Sequence, residues 1–138
     1  MKTLHLFLII SLLLILSSCK KTTSEPHLNS NNSIIGSWKN VMITDSIYIY
    51  TRTAQLTENE YSFSIKTNSQ FIERKNSSWC GTPPVSFYDY QGIWFATDSI
   101  INISVGFWGG IADYQWKLIS VDNQYLKIYK IKESYRTN

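Results

Sequence analysis

The chain has 138 residues, a formal charge of +3 at neutral pH, 17% charged and 14% aromatic side chains. So slight and dispersed a charge leaves no footprint for nucleic acid, and the length suits one folded domain with its own core. With two cysteines and two histidines in all, there is little material for a His- or Cys-built metal cluster.

The N-terminus opens with Lys2, an apolar run from Leu4 to Leu16, and then Leu16-Ser17-Ser18-Cys19. A positive start, a short apolar run and small residues before a cut site describe a signal peptide over residues 1–18. A membrane span needs about 20 apolar residues, and this run is shorter. The Leu-Ser-Ser-Cys tetrad resembles the lipobox of bacterial lipoproteins. That resemblance implies that Cys19 carries acyl chains such as palmitate and that the lipid bilayer is a partner of the chain. Each buried methylene contributes about 0.8 kcal/mol, so several chains anchor stably. By the same likeness, Lys20 in place of Asp after the lipidated cysteine implies the outer membrane of the cell envelope. Residues 19–33 are polar, without an aromatic side chain and with Leu28 the sole aliphatic, and predict a flexible tether with a reach of roughly 20 Å.

Residues 34–138 form the predicted folded domain and hold every aromatic residue except Phe7. Their periodicity is two. Tyr61, Phe63 and Ile65 alternate with polar residues, as do Ile101, Ile103, Val105 and Phe107, and then Tyr114, Trp116 and Leu118. Turn residues punctuate the pattern at 57–60, 68–69, 97–99, 109–110 and 122–123. The spacing predicts about eight strands, near 37–44, 47–54, 60–67, 70–76, 88–96, 99–106, 112–120 and 124–132. The fold class is therefore all-β: an antiparallel up-and-down meander closed into a barrel, since closure removes exposed edges.

The stretch Ile34-Ile35-Gly36-Ser37-Trp38-Lys39, opening the first strand, resembles the Gly-x-Trp signature of lipocalins. Ala112-Asp113-Tyr114-Gln115-Trp116, expected where the sixth strand meets the seventh, is similar to their second motif. The resemblance extends to the small lipocalin-like lipoproteins of bacterial envelopes. It implies an eight-stranded barrel, a structural role for Gly36 and Trp38, and a small hydrophobic ligand in or at the mouth of the barrel. Two departures stand out: no helix follows the last strand, and the family's arginine over the Trp has no clear match. Arg136 lies in the right region, while Lys130 and Lys132 lack the planar guanidinium.

The domain has no histidine and one cysteine besides Cys19, which excludes Ser-His-Asp and Cys-His catalysis and any His- or Cys-built zinc site. Glu58 and Glu60 read as a solvated hairpin tip rather than an acid–base pair, and the aspartates fall at strand ends, where Asp caps its own backbone. The expectation is no enzyme, no catalytic residue, no metal and no cofactor. The positive signal is aromatic. Trp79, Trp94, Phe107, Trp108 and Trp116 are candidate ligand contacts. A filled core competes for Trp94 and Trp116 and is favoured there, because small barrels are either packed or hollow.

The segment 77–87 contains Trp79-Cys80-Gly81, similar to the opening of a thioredoxin-type site, but Pro83 stands where the second cysteine belongs. Cys80 then reads as a small apolar filler, and Trp79 with Cys80 as a lid over one end of the barrel. Two functions remain: binding a small hydrophobic molecule, or acting as a non-catalytic protein-interaction module, an envelope scaffold or a hydrolase inhibitor, with a filled barrel. A hollow of about 300 Å³ or more separates the first from the second.

Overall fold

The computed structural model describes residues 34–79 and 83–137. Its strands are β1 (Gly36–Thr44), β2 (Ile47–Thr53), β3 (Ser62–Ile65), β4 (Gln70–Asn76), β5 (Phe87–Thr97), β6 (Ile100–Phe107), β7 (Gly110–Val121) and β8 (Tyr125–Thr137). They close into one barrel with every neighbouring pair antiparallel. The expected all-β, eight-stranded closed barrel is present, and it fits a lipocalin-like fold. The signal peptide, Cys19 and the tether expected over 1–33 lie outside the described residues, as does Cys80.

The winding departs from a simple up-and-down meander at one point. β1 lies between β2 and β3, so β2 and β3 run in the same direction and residues 54–61 must cross β1. The crossing runs over the outside of the barrel. Lys39 of β1 pairs with Glu60 at 2.5 Å, and Arg74 Nη1 of β4 donates to the carbonyls of Leu56 and Thr57 at 3.4 and 3.2 Å. Beneath it Ser37, Ser62 and Ser64, all on the outward face, are buried. Small hydroxyls suit a sheet surface that another segment lies upon: Ser37 and Ser64 share a 2.6 Å hydrogen bond, and Ser62 Oγ accepts from the Thr57 amide at 3.0 Å. Glu58 and Glu60 therefore belong to this crossing and not to a hairpin tip. The turn expected at 57–60 exists, with Asn59 at φ 54°, but a turn residue marks a reversal without saying which strand comes next.

Directly opposed residues on antiparallel strands share a face, and the register sorts the interior into two halves. At the end where β1 begins, Ile65, Phe71, Trp94, Ile101, Leu118, Leu126 and Ile128 are all buried around Trp38. Trp38 has no exposed surface, and its indole N–H donates to the Ile34 carbonyl at 2.9 Å. Arg52 stands opposite Trp38 in the register, its guanidinium carbon 4.1 Å from the ring centroid. Its Nη1 donates to Ile35 O at 2.7 Å, its Nε to Asn123 O at 3.0 Å and its Nη2 to Asp122 O at 3.3 Å. One planar fork thus joins the start of β1, the end of β2 and the β7–β8 turn.

The arginine expected over Trp38 near the end of the chain is therefore supplied by the second strand. Arg136 sits instead on the outer face with Asp113, and Lys130 faces the opposite end of the interior. Gly36 explains itself in the same place. Its φ is 144°, and a Cβ there would land on Arg52 Nη1, so the signature glycine leaves room for the guanidinium. The second motif also moves: Ala112–Trp116 lies within β7, and the β6–β7 connection is Trp108-Gly109.

Replacing Arg52 with Ala removes charge-assisted hydrogen bonds and the stacked cation, and is expected to destabilise the barrel by roughly 3 kcal/mol. Arg52→Lys keeps the charge without the fork and should recover less than half of that loss. Urea midpoints at constant slope measure both, and equal stability of wild type and Arg52→Ala would remove the clamp from the account.

Candidate functional site

Toward the other end of the barrel the inward positions change character while the strands continue. After Phe71, β4 turns Glu73 and Lys75 inward; β8 turns Lys130, Glu133 and Tyr135 inward beyond Ile128; β2 contributes Tyr48 and Tyr50. These side chains, with Asn40 and Tyr114, surround a cavity of about 330 Å³ whose walls also include Phe63 and Trp116. Trp116 lies between Tyr114 (5.7 Å, 8° between planes) and Tyr50 (6.4 Å, 21°), and Phe63 packs edge-on to Tyr50 at 5.0 Å. A second hollow of about 230 Å³ at the rim shares Tyr61, Lys75, Tyr114 and Tyr135 with the first and adds Trp79, Phe107 and Trp108. The two adjoin, so an aromatic rim leads to a polar, ring-walled cup.

The charges of the cup are paired. Lys75 Nζ donates to Glu73 Oε2 at 2.6 Å and to the Tyr114 hydroxyl at 3.1 Å, and that hydroxyl donates to the same Oε2 at 3.1 Å. Lys130 Nζ lies 2.8 Å from Glu133 Oε1 and 4.3 Å from the Tyr48 ring centroid. Burial, reinforced by the negative charge of Glu73, holds the Tyr114 phenol far above the usual range, and burial does the same for Tyr50. The Trp116 indole N–H is buried with no hydrogen-bond acceptor, and so is Asn76 Oδ1 without a donor. Such groups raise the free energy of the folded state by about 1–3 kcal/mol each.

Of the residues expected to meet a ligand, Trp116 lines the cup, and Phe107, Trp108 and Trp79 stand at its rim. Trp94 does not belong with them. It packs among the closed-end core residues, its indole donating to Lys66 O at 2.9 Å. Trp79 is 79% exposed and borders the rim hollow, and the other residue of the expected lid, Cys80, lies outside the described residues. Sequence reasoning missed Tyr48, Tyr50, Glu73, Lys75, Tyr114, Lys130 and Glu133. A signal was available: residues 71, 73 and 75, like 126, 128 and 130, continue one inward register from apolar into charged residues.

A further hollow of about 280 Å³ lies on the outer face of β5 to β8, beside the exposed Ile93 and Phe95. Its polar groups are already engaged with one another. Asp113 accepts from Arg136 Nε at 2.8 Å and from Ser104 Oγ at 2.7 Å, which holds its carboxyl below the usual range, and Gln115 donates to Asn102 at 3.2 Å. Among the described residues no group of three or more His, Cys, Asp and Glu side chains is placed to hold a metal ion. No protein-family model, no curated protein and no solved structure matches the chain.

The buried phenols make alkaline pH a probe of the cup. The ionisation of Tyr50 and Tyr114 is shifted up in the folded state, so their contribution to stability is intact below the unfolded value of about 10 and is lost as pH rises beyond it. Of the nine tyrosines, these two are expected to ionise only as the strand signal collapses. Tyrosinate absorbance followed alongside circular dichroism checks this, and full titration of an intact barrel contradicts it.

Proposed function

We propose that the chain is a membrane-anchored, non-catalytic, lipocalin-like envelope lipoprotein that holds a small molecule in the open end of its barrel. The observation that carries this reading is the cup of about 330 Å³, closed at one end by a packed core and open at the other through aromatic side chains. That volume lies in the range of small-ligand sites, which combine ring surfaces with a few convergent polar groups. The alternative of a filled barrel serving only as a protein-interaction module suits the closed half and leaves the open half unexplained. Anchoring rests on the lipobox at Cys19, and the outer-membrane destination on Lys20. The ligand expected from the resemblance is hydrophobic. The rings of the cup offer such contact, but its Lys–Glu pairs require a polar side on whatever enters.

Two measurements test the proposal. The full-length protein, extracted in mild detergent from its own membranes, should carry a small-molecule mass in native mass spectrometry, and repeated preparations without one count against ligand binding. Cys19→Ala should move the protein from the membrane fraction to the soluble fraction and remove the acyl mass. A variant that stays on the membrane sinks the anchor.

A further inference from the structure

The cup constrains the chemistry of its ligand, an inference that rests on the binding reading above. Glu73, Lys75, Lys130 and Glu133 sum to no net charge, and each sits with an opposite partner within 2.8 Å. A ligand with a net charge would have to separate a Lys–Glu pair and leave a half-buried charge without its partner, which is unfavourable. An alkyl chain fares no better, since laying methylenes against the same groups removes their water and returns no hydrogen bond. The pairs nevertheless keep capacity to spare. Glu73 accepts both its bonds on Oε2, leaving Oε1, and Glu133 receives Lys130 on one oxygen only. An ammonium has three donors, and Lys130 directs one contact to Glu133. Each pair thus sets a spare acceptor beside a donor on the wall of the cup.

Above them, aromatic side chains stand exposed at the rim: Trp108 at 52%, Tyr61 at 56% and Trp79 at 79%. A donor beside an acceptor, present twice in the cup, matches hydroxyls, each of which donates and accepts at once. Aromatic side chains at the rim match a ligand whose other surface is a plate of C–H groups. We infer that the cup takes an uncharged, polyhydroxylated ring, a pyranose sugar unit, with its hydroxyl edge on the two Lys–Glu pairs and its C–H face on the rim aromatics.

The test uses the purified full-length protein in detergent and follows tryptophan emission and saturation-transfer NMR. The probes are glucose, galactose, N-acetylglucosamine and their β-linked disaccharides, with parinaric acid and phenylalanine as comparators. At least one sugar is expected to saturate the emission change, with an affinity that does not move between low and high salt because the ligand is neutral. Trp108→Ala, at an exposed position outside the core, should weaken that sugar about tenfold or more, a loss of about 1.4 kcal/mol. Glu133→Gln, checked for intact strand signal, should weaken it similarly. Saturable binding of parinaric acid or phenylalanine with no sugar bound overturns the ligand class while leaving the cup a binding site. Silence from every probe, sugars and comparators alike, overturns both readings together.

Discussion

The barrel hangs on the stacking of Arg52 over Trp38. A closed sheet of eight strands has two ends, and a packed interior needs at least one of them sealed against water. The indole is fully buried at this end, and the guanidinium covers it while giving its donors to three carbonyls, one at the start of β1 and two in the β7–β8 turn. Those carbonyls lie where strands stop and the ladder can no longer satisfy them, so one side chain meets needs that would otherwise fall to water at the edge of the core. Gly36 is the third member of the arrangement, because any side chain there would occupy the space of the guanidinium. The Gly-x-Trp pattern is thus two-thirds of a steric statement whose remaining third sits on the next strand.

Sealing one end frees the other. The closed half contains the fully buried Trp38, Phe71, Ile65, Ile101, Leu118, Leu126 and Ile128, and it supplies the apolar burial that a domain of this size requires. The open half then need not contribute much hydrophobic stabilisation. It accommodates two Lys–Glu pairs, several tyrosines and an indole N–H with no acceptor, the last of which lowers stability where it stands. A domain that keeps such groups inside its own barrel, with apolar strands available in the same chain, concentrates its chemistry at one end.

That division also explains what the sequence discloses. Strands whose inward positions are apolar along their length are legible: β6 and most of β7 fall within a residue or two of the expected ranges. β8 is expected to end at 132 and runs to Thr137, because its last inward residues, Glu133 and Tyr135, face a polar cavity and break the apolar alternation that marks a strand. The same break hides most of the site. Trp116 and the rim aromatics are visible as large rings, whereas Glu73, Lys75 and Lys130 look like ordinary surface charges until the register turns them inward. Arg52 escapes notice because the resemblance directs attention to the end of the chain, although the guanidinium is needed only at a place in space. The crossing of residues 54–61 is out of reach for a different reason: pairing partners are a long-range property, and the turn at Asn59 serves either winding.

The chain enters the barrel beside Trp38, through Ile34 and Ile35, at the end that Arg52 seals. With the anchor proposed at Cys19, the leash reaches the molecule at its plugged base, and the mouth lies at the far end of the strands. A tethered body of this kind is a vessel held by its foot. Under that proposal the tether joins the barrel at the end opposite its opening. Whatever enters the cup meets the exposed side chains of Trp79 and Trp108 at its rim first.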